Sequence, residues 1–479
     1  MAIQNNEVKI PKRILNTLLT SLTAGVVPRS GAPYIAIGRA EEINSLLDNL
    51  DEVAEGGAAC RFLIGRYGSG KSFLIQLIRG YALERGFVCA DADLSPERRL
   101  TGGNGAGLAT YRELIINLAV KASPEGGALP TVLSRYYTGL RTALVSEGLD
   151  PDSPEFAAEL KRRVYLTLAE LEGDVGGFDF ARVLGEYYTA AGEGNNERKT
   201  ACLRWLRGEF STKTEAKAAL GFPVSTVIDD DNWYNYIKLI SALSVRLGYK
   251  GLVVFIDECV NLYKIPNRIS REANYEKILA IFNDTLQGKA NNLAVIFGGT
   301  PQFLEDTRRG LFSYDALRSR LADSRYTELG YRNLSSPVIR LRRLSDNELL
   351  ALVKRLTRLW TEREGLSAPP LTDAETERFM AHALSRAGAE ELITPREIIR
   401  DYLTLLNVLR DNPGATLDSL LSGISFAPSP DVEGSADGST DASPARTATA
   451  KPVAESSAPV NPADGMTLPK KIGLFDIDI

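Results

Sequence analysis

A glycine-rich stretch that ends in lysine and serine carries the clearest chemistry in the sequence. Residues 65–72 read GRYGSGKS and fit the pattern G-x-x-x-x-G-K-[ST]. Glycines in such a loop let backbone N–H groups point inward at phosphates, and the following helix adds positive potential at its N-terminus. Lys71 is predicted to reach the β- and γ-phosphates of ATP, and Ser72 to offer its hydroxyl to Mg²⁺. The predicted nucleotide-binding residues of the loop are Gly65, Arg66, Tyr67, Gly68, Ser69, Gly70, Lys71 and Ser72.

An acidic pair at the end of an apolar run supplies the complementary chemistry. Residues 252–258 read LVVFIDE, and ligands of open α/β sheets sit at the carboxyl ends of the strands. Asp257 is predicted to hold Mg²⁺, directly or through water, and Glu258 to polarise an attacking water as general base. The pair favours hydrolysis over transfer of the phosphoryl group to a second substrate. An acidic turn that closes a buried strand is the structural alternative.

A further apolar run ends in a small polar residue. Residues 293–300 read LAVIFGGT, and in P-loop sheets of this class a strand lies between the phosphate-loop strand and the strand with the metal carboxylate. Thr300 is therefore predicted to bond the γ-phosphate or the attacking water. A plain strand-to-loop turn is the alternative.

Three arginines are candidates for completing the site, because a cation at the transferring phosphoryl group assists hydrolysis. Arg318 and Arg320 lie one helix after the LAVIFGGT strand, the usual place of an arginine finger donated to the next subunit, and Arg320 is favoured. A basic helix face is the alternative. Thr394 is suited to cap a helix, so Arg396 projects from the first turn of that helix and is predicted to report the nucleotide state.

Apolar periodicity predicts the elements that position these residues. The longest stretch between two predicted strands, about residues 101–250, is predicted to be a mostly helical insertion. From Ser345 onward the pattern is helical. Strands that alternate with helices and then give way to a helical block indicate an α/β fold with a parallel sheet and a C-terminal helical lid. The predicted strands are Arg61–Ile64, Phe87–Ala92, Gly251–Asp257, Leu293–Gly298 and Val338–Leu341.

Composition divides the chain into five predicted parts. These are an N-terminal helical segment at 1–35, an α/β nucleotide-binding domain at 36–344, a helical lid at 345–426, a disordered linker at 427–469 and an apolar peptide at 470–479. The linker is rich in Ser, Ala, Pro, Gly, Thr and Asp, a composition that buries too little apolar surface to fold. The terminal peptide is predicted to add a strand to a partner's sheet edge, and a tail without function is the alternative.

Charge and residue usage exclude several classes of protein. The net charge of −5, from 56 Lys and Arg against 61 Asp and Glu, is not that of a nucleic-acid coat protein. The four cysteines lack CxxC spacing, so neither a zinc site nor a disulfide framework is predicted. The single histidine, His382, is predicted to lie on a helix and to take no part in catalysis. No signal peptide and no apolar run of the ~20 residues needed to span a bilayer are found, which favours the cytoplasm.

One segment departs from the acidic balance. Residues 308–363 hold 13 Lys and Arg and 6 Asp and Glu, a local excess of 13 − 6 = +7. A basic face of this kind is predicted to contact DNA phosphates without sequence specificity. A surface between subunits, or a face of the lid, is the alternative.

Taken together, these motifs resemble the AAA+ class of P-loop ATPases, nearest its initiator and signalling branches. In that class a Gly-Arg-x-x-Glu opening commonly packs beside the adenine, so Gly38 and Arg39 are predicted in that role; acidic residues near the positive end of a helix explain the pattern equally well. Over roughly residues 10–410 the chain also resembles the BrxC/BrxD-type ATP-binding family. The segments that carry this resemblance are Val27–Arg29, Asp93–Leu100, Gly251–Glu258, Gly299–Asp306, Tyr314–Leu321 and Thr394–Asp401.

That family occurs in bacterial phage-defence loci of the BREX kind, often beside a large DNA helicase. The resemblance therefore implies a homo-oligomer that uses ATP to assemble on, or regulate, a DNA-acting partner such as this helicase. Two other interpretations stay open: a nucleotide-dependent switch in which binding matters more than turnover, and a scaffold with an idle site. No winged-helix domain is predicted after Leu409, which sets the chain apart from replication initiators.

Overall fold

A single parallel sheet organises the computed structural model, which describes residues 10–171, 173, 175–325, 329, 331–385 and 394–423. Within these residues the five strands run in the order β2-β3-β4-β1-β5. Because all the strands are parallel, their carboxyl ends meet at one edge of the sheet. The predicted α/β class is thereby confirmed. The strands are β1 (Ala58–Ile64), β2 (Val88–Asp93), β3 (Leu252–Asp257), β4 (Leu293–Gly299) and β5 (Val338–Arg340).

The strands are apolar on both faces because helices cover both faces of the sheet. Alternate residues of β3 point to opposite sides: Val254 joins the core shared with the helical insertion, whereas Val253 packs with the helices on the other face. β4 lies between β1 and β3, as predicted. The register aligns Ile64 with Gly299, so the phosphate-loop strand and the Thr300 strand end at the same level.

Eighteen α-helices are found among the described residues. They are α1 (Lys12–Thr23), α2 (Ala40–Ala54), α3 (Lys71–Glu84), α4 (Ala106–Ile116), α5 (Leu129–Ser146), α6 (Pro154–Ala169), α7 (Gly177–Glu193), α8 (Asn196–Leu206), α9 (Lys213–Leu220), α10 (Trp233–Arg246), α11 (Val260–Tyr263), α12 (Arg268–Leu286), α13 (Pro301–Glu305), α14 (Asp315–Leu321), α15 (Asp346–Glu364), α16 (Asp373–Leu384), α17 (Pro395–Asp411) and α18 (Leu417–Gly423).

The stretch between β2 and β3 is helical; consecutive helices from α5 to α9 pack together, and α10 packs against α4. Its patterning does not predict α8 and α9, because each presents few apolar side chains to the core. Large aromatic residues fix the insertion to the sheet. Tyr111, Trp205 and Trp233 are almost fully buried in the same apolar cluster as the strands. The insertion therefore shares the core of the sheet and is not an appended module.

The helices after β5 form a second core that includes the first helix of the chain. Leu18 of α1, Trp360 of α15 and Tyr402 of α17 are fully buried in one apolar cluster. Reciprocal capping boxes fix the starts of α15, α16 and α17, in each of which a Ser or Thr side chain and a Glu side chain satisfy each other's backbone N–H. His382 lies half-buried in α16.

Two predicted parts, the linker at 427–469 and the peptide at 470–479, lie outside the described residues. Among the residues that are described, no helix is both long enough and apolar enough to cross a membrane. The four cysteines are buried and unpaired. In the same residues no group of three or more His, Cys, Asp or Glu side chains is placed to hold a metal ion.

Candidate functional site

The phosphate loop, residues 65–72, connects β1 to α3 through positions that accept only glycine. Gly68 and Gly70 have φ angles of 74° and 87°, in the left-handed region that other residues rarely adopt. A Cβ atom at Gly65 would overlap the Ser69 hydroxyl, and one at Gly68 would lie 2.7 Å from Cγ2 of Thr394. The backbone therefore curls tightly before α3, which leaves the concave surface that a phosphate group requires.

The acidic end of β3 meets the start of α3 directly. The Ser72 hydroxyl donates a hydrogen bond of 2.8 Å to Oδ2 of Asp257, although the two residues are 185 positions apart. The backbone N–H of Glu258 donates to the other carboxylate oxygen at 2.8 Å. On the neighbouring strand, Gly298 leaves room for this carboxylate, which a Cβ atom there would overlap. A hydroxyl and a carboxylate side by side are oxygen donors of the kind that Mg²⁺ prefers.

Lys71 is half-buried at the start of α3, and the exposed Glu258 is near enough for the two charges to interact. The ammonium of Lys71 donates to the carbonyl of Gly65 at 2.9 Å. Burial lowers the pKa of Lys71, and the charges of Asp257 and Glu258 oppose that change. Burial and then Asp257 raise the pKa of Glu258, while Lys71, Lys264 and Arg396 oppose the rise. The charges of Lys71, Asp257 and Glu258 therefore act on one another at this end of the sheet.

Thr300 lies at the end of β4, between the phosphate loop and the acidic pair. Its hydroxyl oxygen accepts a hydrogen bond from the N–H of Phe303 at 3.3 Å, which caps α13. A hydroxyl that accepts one bond still has a proton to donate. The position and the free proton agree with the predicted contact to a phosphate or an attacking water, which stays a prediction.

The lid touches the phosphate loop at the start of α17. The nearest guanidinium nitrogen of Arg396 lies 3.5 Å from the Tyr67 hydroxyl, and the guanidinium carbon lies 6.0 Å from the centre of the Tyr67 ring. Thr394, the N-cap of α17, packs against Gly68. The structure therefore brings Arg396 to the loop and near Glu258. Its predicted role in sensing nucleotide remains untested.

Gly38 and Arg39 lie behind the phosphate loop. Arg39 is only 4% exposed, and its Nη2 donates to the carbonyl of Ser69 at 2.9 Å. Gly38 has a φ of 73° and lies against Glu348 of α15. These contacts join the phosphate loop and the lid, and the predicted contact with adenine stays a prediction.

Arg318 and Arg320 project from α14 into solvent. Arg318 lies 3.9 Å from the carboxylate of Asp315, and Arg320 donates to the carbonyl of Ala316 at 2.7 Å. Both partners belong to α14 itself. The proposed finger role, which needs a neighbouring subunit, is untested.

One protein family accounts for nearly the whole described chain. The family model for "BREX system ATP-binding protein BrxC/D" matches residues 10–424. The chain belongs to the BrxC/BrxD family. The family is an ATP-binding component of the BREX system, which implies a role in phage defence. A comparison with curated proteins gives no match.

The structure adds two charged residues to this BrxC/BrxD site that were not predicted. Asp93 ends β2 in register with Asp257. Partial desolvation, followed by the charges of Asp257 and Glu258, raises the pKa of Asp93 to about 6. The signal was present, because Asp93 directly follows a predicted strand, as Asp257 does. Lys264, exposed just after α11, acts on the pKa of Glu258, and no sequence pattern indicates where that turn brings it.

Part of the basic excess of residues 308–363 is neutralised by acids from other elements. Arg332 forms ion pairs with Glu41 at 2.6 Å and Glu42 at 2.7 Å, both outside the segment. Arg340 pairs with Asp323 at 2.7 Å and also with Glu305. The excess counted along the chain is therefore not one continuous basic face, because acids from other elements lie among the arginines.

Proposed function

We propose that this BrxC/BrxD protein is an AAA+ ATPase that binds ATP with Mg²⁺ and hydrolyses it to ADP and phosphate. The hydrogen bond between Ser72 and Asp257 carries the proposal, since it joins the phosphate loop to the acidic pair. Glu258 follows Asp257 at the same strand end, and its side chain is close enough to Lys71 for their charges to interact. These features meet the needs of phosphoryl transfer to water, in which positioning and charge stabilisation do most of the work.

The residues divide the work as follows. Backbone N–H groups of the phosphate loop, among them that of Gly70, and the ammonium of Lys71 bind the phosphates, while Ser72 and Asp257 would hold the metal. Bound Mg²⁺ would neutralise charge on the β- and γ-phosphates. Glu258 accepts the proton of the attacking water, and Thr300 orients that water or the γ-phosphate.

The AAA+ assignment is supported by the strand order and by the lid. β4 separates β1 from β3, and the lid reaches the phosphate loop through Arg396. Arg318 and Arg320 face solvent, where a second copy of the chain is able to receive them. We therefore include in the proposal a homo-oligomer whose sites are completed in trans.

The biological part of the proposal rests on the family alone. We propose that ATP turnover assembles or regulates a DNA-acting protein of the same defence locus, such as a helicase. Direct DNA contact is proposed as non-specific, through exposed arginines of the basic segment such as Arg308 and Arg358.

Replacing Glu258 by glutamine tests hydrolysis. Glu258→Gln is expected to keep ATP affinity and to lower phosphate release by about 10²- to 10⁴-fold, the usual contribution of a general base. Glu55→Gln, an exposed glutamate at the end of α2, is the control. Equal turnover in Glu258→Gln and wild type would reject the proposed ATPase mechanism. ATP binding without turnover in the wild type, with phage protection unchanged in Glu258→Gln, would favour the nucleotide-dependent switch.

A further inference from the structure

A buried arginine joins the phosphate loop to the chain that leads into the lid. Nη2 of Arg39 donates to the carbonyl oxygen of Ser69 at 2.9 Å and also to the carbonyl oxygen of Arg342. Ser69 belongs to the phosphate loop. Arg342 lies two residues after β5 and three residues before the cap of α15. One guanidinium therefore holds two backbone segments that are 273 residues apart.

The charge of Arg39 is balanced by a buried carboxylate. Glu42, one turn along α2, is 2% exposed and lies 3.6 Å from Nη1 of Arg39. Glu42 also accepts a hydrogen bond from Arg332 at 2.7 Å. Burying charged side chains carries a large desolvation cost, and removing one partner leaves the other without compensation. The guanidinium is thus held at a fixed place behind the loop.

The contact with Ser69 sets the direction of a neighbouring donor. In a trans peptide the carbonyl of one residue and the N–H of the next point to opposite sides, and the described residues contain no cis peptide. Because Arg39 holds the Ser69 carbonyl on its own side, the N–H of Gly70 is directed away from Arg39. That N–H has no hydrogen-bond partner among the described residues, so it is available to a phosphate.

Arg342, the second residue that Arg39 holds, contacts the first turn of α15, the first helix of the lid. The side chain of Arg342 pairs with Glu348 at 2.6 Å, and Glu348 completes the capping box of α15 with Ser345. Glu348 also packs so closely on Gly38 that a Cβ atom there would overlap its carboxylate. Gly38 and Arg39 therefore contact the base of the lid through both backbone and side chain.

From this geometry we infer that Arg39 is a positioning residue that couples the phosphate loop to the base of the lid. Nucleotide bound to the loop fixes the Ser69–Gly70 peptide, and Arg39 transmits this restraint to Arg342 and the first turn of α15. The inference rests on ATP binding at residues 65–72, as proposed above. It assigns Arg39 a role that needs no contact with the adenine.

Two substitutions of Arg39 test the coupling. In the full-length protein we would measure the affinity for ATP with Mg²⁺, and hydrogen exchange of residues 342–349 with and without saturating ATP. In wild type, ATP is expected to slow exchange at both the phosphate loop and residues 342–349. Arg39→Gln is expected to weaken ATP binding about tenfold or more, since it removes hydrogen bonds from a charged donor. It should also abolish the ATP-induced slowing at residues 342–349.

A matched control separates coupling from general damage. Arg85, at the far end of α3, donates to the carbonyl of Leu47 at 3.1 Å and to Asp51 at 2.7 Å, also linking two segments. Arg85→Gln should leave both readouts as in wild type. If Arg39→Gln does not fold, Arg39→Lys carries the test, because lysine keeps the charge opposite Glu42 but lacks the planar fork.

The outcomes decide between the inference and the proposed function. If Arg39→Lys or Arg39→Gln binds ATP and still slows exchange at residues 342–349 as wild type does, the coupling is overturned. A weaker affinity with unchanged slowing at saturating ATP also overturns it, because Arg39 then only supports the loop. If wild type itself binds no ATP, the proposed function is rejected. That result is distinct from those that overturn the coupling, because they require a variant that binds ATP.

Discussion

Two glycine-rich loops lie at the carboxyl edge of the same sheet, and their backbone N–H groups have different partners. The phosphate loop follows β1. A second glycine-rich loop, which includes the first two residues of α4 and covers residues 101–107 with the sequence TGGNGAG, follows β2. The carboxylate of Asp230 accepts hydrogen bonds from the N–H groups of Gly102 at 2.8 Å and of Gly107 in this loop, and from that of the next residue, Leu108, at 3.2 Å. A carboxylate of the protein itself thus binds the N–H groups of this loop, in the way that a phosphate would bind those of the phosphate loop.

In the phosphate loop, side chains of the described residues donate hydrogen bonds to backbone carbonyl groups and do not accept them from backbone N–H groups. Lys71 and Arg39 donate to its carbonyl groups, of Gly65 and Ser69, and the described residues provide no partner for the N–H of Gly70. Donors around the carbonyls thus leave the N–H of Gly70 available for an anion. Glycine content alone therefore does not identify a phosphate site. What distinguishes the two loops is whether the protein supplies its own anion.

The largest effect expected from this comparison is on nucleotide binding. Lys71→Ala removes a partly buried cation that is predicted to face the phosphates, which is expected to cost about 3–4 kcal/mol of binding free energy, roughly a hundredfold to a thousandfold in affinity. Thermal unfolding without nucleotide should change little. Titration with ATP and Mg²⁺ gives the affinity, and Lys250→Ala, an exposed lysine before β3, is the control. Unchanged affinity in Lys71→Ala would remove the phosphate loop from the nucleotide site.

The matching change in the second loop should affect stability and not binding. Asp230→Ala leaves several N–H groups of that loop without their acceptor, so the free energy of unfolding should fall by about 3 kcal/mol. ATP affinity of the folded protein should stay close to wild type. Asp231→Ala removes the exposed neighbouring carboxylate and is the control in denaturant unfolding. A loss of ATP affinity in Asp230→Ala without loss of stability would make the second loop part of the nucleotide site.

Local sequence was sufficient to predict one loop and not the other. In the phosphate loop every required residue lies within eight positions, and the acidic partner ends an apolar strand. The residues that do the chemistry and the elements that position them can therefore both be recognised from short stretches of sequence. The acceptor for the second loop is Asp230, more than 120 residues from the N–H groups it binds. Only the packing of α10 on the sheet brings it there. The hydrogen bond from Arg39 to Arg342 could not be predicted for the same reason. Every residue has a backbone carbonyl, so the sequence does not show which one accepts a hydrogen bond.

Glycine substitutions sharpen the contrast within the second loop itself. A Cβ atom at Gly107 would stand 2.6 Å from the carbonyl oxygen of Leu100 and 2.9 Å from Nε1 of Trp233. Gly107→Ala is therefore expected to lower the free energy of unfolding by about 2 kcal/mol, through overpacking. Gly103→Ala is the matched control, because nothing lies within 4 Å of its Cβ position. Equal stability of the two variants would show that the loop is less tightly held than its hydrogen bonds indicate.

The smallest expected effect concerns Asp93. This residue ends β2, from which the chain continues to the second loop, but its charge interacts with Asp257 and Glu258, the acidic pair of the phosphate-loop site. The pKa of Asp93 is raised from 3.8 to about 6, by partial desolvation and then by the charges of Asp257 and Glu258. Between these pH values the folded protein binds more protons than the unfolded chain, so stability falls as the pH rises through this window. The Asp93→Asn variant has no carboxyl group at this position, so it does not lose stability in this way. At pH 7 it should be more stable than wild type by about 1 kcal/mol, a small figure because solvent screens the exposed carboxylate.

Thermal unfolding from pH 4 to pH 7 with a metal chelator measures this difference. The gain of Asp93→Asn over wild type should be full near pH 7 and should vanish toward pH 4, where the wild-type carboxyl is protonated in the folded protein. Glu97→Gln, on an exposed residue of the same connection, should show no such trend. If Asp93→Asn is less stable than wild type at pH 7, the Asp93 carboxylate is stabilised by a cation in the folded protein. Asp93 would then serve the stability of the fold and not the acidic pair.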